Sequence, residues 1–105
     1  MLTKDEQEEV ILTNDQGGRG SYLSARLDLT PARAWLRVGE VLQHGAEKYE
    51  DDNWRKCPVK EHLNHLLVHV AKHMRGDTDD DHVGHAACRA MMMLEVYLTD
   101  LEDKQ

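Results

Sequence analysis

The chain has 105 residues, with 13 Lys and Arg against 20 Asp and Glu and a formal net charge of −7. This length predicts a single domain with a modest core, which often needs partner subunits. The acidic balance, without a basic stripe, argues against direct nucleic-acid binding or an anionic membrane surface. No apolar run approaches the ~20 residues of a membrane span, and we expect no signal peptide.

Composition predicts an all-α protein, a small bundle of three to four helices. The chain has two Trp, three Tyr and no Phe, whereas Leu, Ala, Met, Glu, Lys and Arg are plentiful. Cys57 and Cys88 lie far apart without a CxxC motif, which predicts reduced thiols in a cytoplasmic protein. We expect a loosely ordered N-terminal arm over 1–25 and a single helical domain over 26–105.

The first predicted helix runs from about residue 31 to about residue 49. Thr30 followed by Pro31 is a helix-start signal, a hydroxyl cap ahead of a proline in the first turn. Apolar residues then recur at spacings of three and four. Gly45 should cost about 1 kcal/mol relative to Ala, which predicts close packing or a local break there.

Two further helices follow the loop EDDNWRK. Pro58 is placed to open the second helix, and Gly76 to end it. The acidic run DTDDD (77–81) caps a third helix, over about 82–101. This third helix is apolar round much of its circumference, which suits the middle of a bundle or an interface. The short connection predicts an antiparallel hairpin of the last two helices.

Histidines are concentrated on this predicted hairpin. Those of the second helix fall within an arc of about 80° beside its apolar face. They are His62, His65, His69 and His73. His82, His85 and Arg89 share one face of the third helix, so the two groups can face each other across one groove. Imidazoles beside carboxylates are typical of a metal site, whereas the plainer interpretation is a solvated helix face.

Four segments carry a family resemblance. They are RLDLTP (26–31), GAEKYEDDNW (45–54), HLNHLLVH (62–69) and DDHVGHAACRAMM (80–92). In order and spacing they resemble the MazZ proteins, phage dATP/dGTP diphosphohydrolases related to the all-α, MazG-like nucleoside triphosphate pyrophosphohydrolases. The resemblance implies that 26–105 is a catalytic domain hydrolysing dGTP or dATP to monophosphate and pyrophosphate with divalent ions. It also implies a homo-oligomer, dimer or tetramer, in the cytoplasm of a phage-infected or bacterial cell.

The metal ligands of MazG-like enzymes typically follow an ExxE and ExxD pattern. The literal ExxE of this chain is Glu47 to Glu50, with Asp77 to Asp80 as a loop-borne second half. A pair of HxxH motifs has better helical placement and stands in the form of that pattern. His69, on the same stripe, and Asp81, which adjoins His82, complete the predicted set of metal ligands. The set is His62, His65, His69, Asp81, His82 and His85. Mg²⁺ prefers oxygen ligands, whereas imidazoles suit Mn²⁺ or a softer transition metal, so we expect Mn²⁺ or Mg²⁺ with a softer metal as the alternative.

Four residues are candidates for binding the substrate. On the family motif, Lys48 is placed to contact a phosphate and Asn53 to form hydrogen bonds. Trp54 is placed to stack or to shape the pocket, with a core anchor under the loop as the alternative. Arg89 could neutralise charge on the pyrophosphate leaving group or pair with the acidic turn.

No nucleophilic Ser or Cys with a neighbouring base is discernible, so direct attack by water is the simpler mechanism. Glu47 or Glu61 is the candidate to take the proton of that water. The alternative function is a non-catalytic, metal-binding helical oligomerisation or interaction module, suggested by the apolar third helix with its AMMML segment. An HD-type phosphohydrolase is the weaker option because the chain has Asp81-His82 in place of an adjacent His-Asp pair.

Overall fold

The computed structural model describes residues 10–22 and 24–104, and three α-helices account for most of them. They are α1 (Ala32–Lys48), α2 (Val59–Arg75) and α3 (His82–Asp103). The predicted all-α fold and the order of its helices are therefore confirmed. The chain divides into two compact units, one up to Thr30 and one from Pro31 onwards.

The N-terminal unit contains a β-hairpin that the sequence analysis did not predict. Strand β1 (Val10–Thr13) pairs antiparallel with β2 (Arg19–Tyr22). All four residues of β1 are exposed. Residues 1–9 and Leu23 of the predicted arm lie outside the described part of the chain.

The turn of this hairpin is organised by Asn14. Its Oδ1 accepts hydrogen bonds from the backbone N–H groups of Gln16 and Gly18, at 3.0 and 2.8 Å. Gly17 adopts a φ of 82°, a left-handed conformation that favours glycine. The segment NDQGG (14–18) after the run VILT is therefore a hairpin signal, since Asn14 and Gly17 each have a defined task in the turn.

The start of α1 lies where the Thr-Pro signal predicts it, but the cap differs. The Thr30 hydroxyl donates to the carbonyl of Leu27, in the short 3-10 turn Leu27–Leu29, and Pro31 stands at the N-cap without a side-chain cap bond. The prediction of a hydroxyl cap is thus wrong. The helix also continues through Gly45, where a Cβ atom would meet nothing within 4 Å, so neither the close packing nor the break occurs.

The segment between α1 and α2 turns sharply before the second helix. Asp52 adopts a left-handed φ of 61°, and a 3-10 turn follows at Asn53–Lys56. Pro58 is the N-cap of α2, as predicted. Gly76 ends α2 with a φ of 89°, and its N–H lies 3.0 Å from the carbonyl oxygen of His73.

Helices α2 and α3 form the predicted antiparallel hairpin and pack against each other along their lengths. Asp81 caps α3, because its Oδ1 accepts a hydrogen bond of 2.9 Å from the N–H of Gly84. Helix α3 also packs against α1, so it lies in the middle of the helical unit, as its apolar circumference predicts.

The core of the helical unit is small. Val38 and Val41 of α1 pack with Cys88 of α3, and Leu42 and Met92 cover this cluster. Several large apolar side chains of the helices are more than two-fifths exposed, and examples are Trp35, Leu36, Leu63, Leu67, Met74, Met91, Leu94 and Tyr97.

Candidate functional site

A cleft of about 1230 Å³ lies within the helical unit. Its walls come from α1, the segment that follows α1, and the facing sides of α2 and α3. Eight of the predicted site residues line it, namely Lys48, Asn53, Trp54, Glu61, His65, His69, His85 and Arg89. The other four predicted residues, Glu47, His62, Asp81 and His82, are not among its lining residues.

The histidines of α2 and α3 face each other, as the antiparallel hairpin predicts. Nδ1 of His69 lies 3.0 Å from Nδ1 of His82. The His69 ring also stacks on that of His85, with centroids 5.1 Å apart and an interplanar angle of 23°. The three imidazoles therefore form one cluster at the end of the cleft nearest the α2–α3 turn.

His82 is an internal member of this cluster, only 3% exposed. Its Nε2 lies 2.8 Å from Oδ1 of Asp79. A carboxylate only accepts, so Nε2 carries the proton, and Nδ1 of a neutral His82 accepts from Nδ1–H of His69. This chain of bonds leaves the lone pair of His69 on Nε2. Both nitrogens of His82 are occupied, so neither is free for the metal ion that the sequence analysis predicted there.

The acidic turn contributes two carboxylates with different surroundings. Asp80 lines the cleft, and its Oδ1 lies 3.5 Å from Nε2 of His85. Asp81, the carboxylate preferred in the sequence analysis, caps α3 with Oδ1 and pairs with Nε of Arg37 through Oδ2, at 2.7 Å. The N–H of Gly84 and then Arg37 lower the pKa of Asp81. Asp81 therefore serves the helix terminus, and Asp80 is the carboxylate presented to the cleft.

His62 is fully buried beneath the cleft wall. Its Nε2 lies 2.9 Å from the carbonyl oxygen of Trp54, and its Nδ1 lies 3.0 Å from Nη1 of Arg89. Both nitrogens are thus engaged. This arrangement leaves no lone pair of His62 for a metal ion, in contrast to its predicted role.

His65 and His69 line the cleft, and the pKa of each imidazole is lowered there. Burial and then the charge of Arg89 lower the pKa of His65. Burial and then the charges of His85 and His82 lower the pKa of His69. A lowered pKa favours the neutral imidazole near pH 7, which is the form that offers a lone pair to a metal ion or a proton.

The two candidate bases differ in position. Glu61 lines the cleft, close to the Cys57 thiol, whose pKa is raised by burial and then by the charge of Glu61. Glu47 is exposed on α1, with Oε1 3.5 Å from Nε2 of Gln43. Position therefore favours Glu61 over Glu47.

The predicted substrate residues of the loop form one wall of the cleft. Trp54 is half-buried, and the Arg55 guanidinium lies 4.3 Å from its ring centroid in a cation–π contact. Nζ of Lys48 lies 5.3 Å from the centroid of the Tyr49 ring. Trp54 therefore contacts the buried His62, as a core anchor would, and also lines the cleft, as a substrate-binding residue would.

Several polar residues of the cleft were missed in the sequence analysis. They include Arg37, Glu40, His44, Asp51 and Asp52. Glu50 also lines the cleft, where it pairs with Lys56. Glu50 belongs to the literal ExxE pattern, but the HxxH motifs were preferred for their better helical placement, so no role was predicted for Glu50.

The donor chemistry of the cleft suits a divalent cation. Imidazole nitrogens and carboxylate oxygens lie along the same wall, at His69, His85 and Asp80. Among residues 10–22 and 24–104, no three His, Cys, Asp or Glu side chains converge on one point as a bound ion requires. These residues fit a metal ion by the chemistry of their donor atoms, but the described side chains are not arranged around one point.

The fold and the site together define a small all-α domain whose cleft is lined by imidazoles, carboxylates and a few cations. A family model described as dATP/dGTP diphosphohydrolase, N-terminal, matches residues 14–105. The chain belongs to this family. Comparisons with curated proteins and with solved structures gave no match. Within the described residues, no helix is long and apolar enough to cross a membrane.

Proposed function

We propose that the chain is a metal-dependent hydrolase that converts purine deoxynucleoside triphosphates, dGTP and dATP, to monophosphate and pyrophosphate. The observation that carries this proposal is the cleft, where Lys48 and Arg89 share one space with imidazoles and carboxylates. Membership of the diphosphohydrolase family supports it. Both cations are suited to oxyanions, and the imidazoles and carboxylates are suited to a divalent ion.

The negative charges of substrate and protein explain why binding requires a divalent cation. A triphosphate is strongly anionic, and the protein itself has a net charge of −7. His69, His85 and Asp80 are the residues that would hold the ion, with His65 as a further donor. When bound, a divalent ion neutralises phosphate charge and lowers the pKa of water. Mn²⁺ or Mg²⁺ suits phosphate oxygens, and the imidazoles favour Mn²⁺ or a softer transition metal.

The reaction assigned to the cleft is attack by water on the α-phosphorus. Glu61 takes a proton from the water while the water oxygen bonds to the α-phosphorus. The bond from the α-phosphorus to the oxygen that bridges the α- and β-phosphates breaks. The electron pair of that bond leaves with pyrophosphate, giving the monophosphate as the second product. Arg89 and Lys48 stabilise the charge that develops on the leaving group.

The loop wall of the cleft is assigned to the nucleoside. Trp54 presents an aromatic surface beside the cleft, and Asn53 offers an amide that can both donate and accept. An amide of this kind can hydrogen-bond either purine edge, which agrees with a substrate class of dGTP and dATP.

Product analysis tests the function directly. The purified protein is incubated with eight ribo- and deoxynucleoside triphosphates and Mn²⁺ or Mg²⁺, and the products are separated by ion-exchange chromatography. We expect monophosphate and pyrophosphate from dGTP and dATP. Release of neither product under any metal condition would refute the proposal.

A double variant tests the site. His65→Ala combined with His85→Ala removes two imidazoles from the cleft, so we expect at least about a 100-fold loss of metal-dependent hydrolysis. His73→Ala, an exposed histidine of α2, is the control and should retain full activity. Equal activity of both proteins would show that His65 and His85 do not take part in the reaction and belong to an ordinary solvated helix face.

A non-catalytic oligomerisation module is the second candidate, favoured by the large exposed apolar side chains of the helices. The two functions share the proposal of a homo-oligomer, dimer or tetramer, since exposed apolar area of this kind suits subunit contacts. They differ in their response to nucleotide. The module predicts a melting temperature that responds to Mn²⁺ alone, whereas the hydrolase predicts a further increase with dGTP.

A further inference from the structure

His62 connects three parts of the helical unit. It belongs to α2, its Nε2 contacts the backbone carbonyl of Trp54 in the 3-10 turn, and its Nδ1 contacts Arg89 of α3. The imidazole is 0% exposed. A polar side chain buried this completely is kept in place by its two hydrogen bonds.

The partners determine which ring nitrogen carries the proton. A backbone carbonyl only accepts, so Nε2–H of His62 donates to Trp54. Nη1 of Arg89 only donates, so Nδ1 of His62 is the acceptor. Both contacts are satisfied by the neutral imidazole in its Nε2–H form.

A neutral acceptor leaves the charge of Arg89 intact. Among the described residues, Arg89 has no carboxylate within ion-pairing distance, whereas Arg37, Arg55 and Arg75 each have one. Arg89 lines the cleft, so its guanidinium borders the same space as His65 and His69. A buried carboxylate in place of His62 would hold the guanidinium equally well but would cancel this charge.

We propose that His62 is a positioning residue that directs the guanidinium of Arg89 into the cleft to bind the leaving pyrophosphate. This inference rests on the proposed function. The second hydrogen bond of His62, to the backbone carbonyl of Trp54, fixes the same imidazole to the 3-10 turn. One buried ring thereby sets the position of the phosphate cation and of the nucleoside wall relative to each other.

Two variants separate the two bonds of His62. In His62→Asn, the side-chain amide oxygen lies where Nδ1 was, so it can accept from Arg89 but cannot reach Trp54. In His62→Gln, the amide nitrogen lies where Nε2 was, so it can donate to the Trp54 carbonyl but not support Arg89. The two proteins are matched controls for each other, and circular dichroism compares their helix content.

The split between kcat and KM for dGTP decides the proposal. We expect His62→Gln to lower kcat about 10- to 100-fold, since a displaced cation loses its contact with the developing charge. Its inhibition by inorganic pyrophosphate should weaken about 10-fold. We expect His62→Asn to retain kcat within about threefold and to raise KM, because only the loop wall is released. Equal losses of kcat in both variants, or none in either, would overturn the positioning role.

A nuclear magnetic resonance measurement tests the same contact without activity. The wild-type protein should show a slowly exchanging Arg89 guanidinium signal with a cross-peak to the His62 ring, assigned by its loss in Arg89→Lys. Absence of that cross-peak overturns the inference even where a variant does not fold. If wild-type protein hydrolyses no nucleotide, the proposed function fails, and calorimetric binding of inorganic pyrophosphate to wild type and His62→Gln then decides. Equal affinities would refute the positioning of Arg89.

Discussion

Histidines enter this site in two chemically different ways. Where both ring nitrogens already have partners, as in His62 and His82, the imidazole fixes the position of another group. Where the imidazole lines the cleft, as in His65, His69 and His85, it can act on a ligand. The difference lies in hydrogen bonding and not in residue type, so it has to be tested one residue at a time.

A substitution of Asp79 tests the first role, in which an imidazole fixes the position of another group. The carboxylate fixes the tautomer of His82 and, through it, leaves the lone pair of His69 on Nε2. We expect Asp79→Ala to weaken Mn²⁺ binding about 10- to 100-fold, as loss of such supporting groups does at other metal sites. Isothermal titration calorimetry gives the affinity.

Asp77→Ala is the control for this measurement because it removes the same charge from the same turn. Asp77 pairs with Arg75 and does not line the cleft. Its Mn²⁺ affinity should match the wild type. If both variants bind Mn²⁺ equally, the Asp79–His82–His69 chain does not support a metal site.

At the level of secondary structure, the N-terminus of α3 depends on Asp81. Replacement by Ala removes the acceptor of the Gly84 N–H and should cost about 1 kcal/mol of stability near pH 7, measured by urea unfolding. Asp81→Asn retains an acceptor for the same N–H and should cost less. Similar losses in both variants would show that the ion pair with Arg37, and not the cap, provides the stabilisation.

The stabilisation by Asp81 should also depend on pH. The pKa of Asp81 in the folded protein lies below its ordinary value of 3.8, so folding favours the ionised form. The stabilisation is therefore complete above the ordinary pKa and is lost as the pH falls through the folded pKa. The difference in unfolding free energy between wild type and Asp81→Asn should shrink below about pH 4. A difference that stays constant from pH 7 to pH 3 would contradict this.

Gly84 is coupled to the same cap. A Cβ atom at Gly84 would lie 2.9 Å from Cγ of Asp81, closer than real Cβ contacts, so the carboxylate would have to move. We expect Gly84→Ala to destabilise the protein, by about 0.5–1 kcal/mol, through loss of the cap. In an Asp81→Ala background the same change should stabilise, by up to about 1 kcal/mol, because Ala favours the helix. Urea unfolding of the four proteins gives the coupling energy, and additive effects would refute the clash.

Helix positions were largely predictable from sequence because their signals are local. Pro58 and Gly76 act on their own backbone, and the apolar spacing of α3 reports its own circumference. The facing of His69 with His82 was also predictable, since a short connection forces an antiparallel pair. The position of Thr30 was predictable, but not the direction of its hydroxyl, which depends on the preceding 3-10 turn.

The roles of His62 and Asp81 could not be read from helical spacing. A helical projection places His62 beside the other histidines, but its partners come from a turn and from another helix. Asp81 adjoins His82 in sequence, yet its oxygens are directed to Gly84 and Arg37. The contacts of His62 and the ion pair of Asp81 with Arg37 join elements whose relative positions a sequence pattern does not give. The cap of Asp81 on Gly84 is local, and the acidic run before α3 predicted it.

For the whole molecule, the small core and the exposed apolar side chains bear on assembly. Leu67 of α2 is 55% exposed, and a charge at such a position is costly to bury in a subunit contact. If the chain forms the proposed oligomer through this face, Leu67→Glu should lower the mass found by sedimentation velocity. Helix content should remain unchanged, because the side chain contributes little to the core.

Thr99→Glu is the matched control, since it adds the same charge at an exposed position of a different helix, α3. It should leave the mass unchanged. An unchanged mass in both variants would exclude this face of α2 from the contact, and a reduced mass in both would indicate a general effect of charge.

The α2–α3 hairpin also has a consequence for the order of folding. Its cross-helix bonds join residues only 13 and 27 positions apart, at His69–His82 and His62–Arg89. Closing short loops costs less chain entropy than closing long ones, and local contacts form quickly. The histidine side of the cleft can therefore assemble as one local unit, while the α1 side joins by contacts of longer range. A chain emerging from the ribosome would complete the cleft only after α3 is made, because α1 packs on α3.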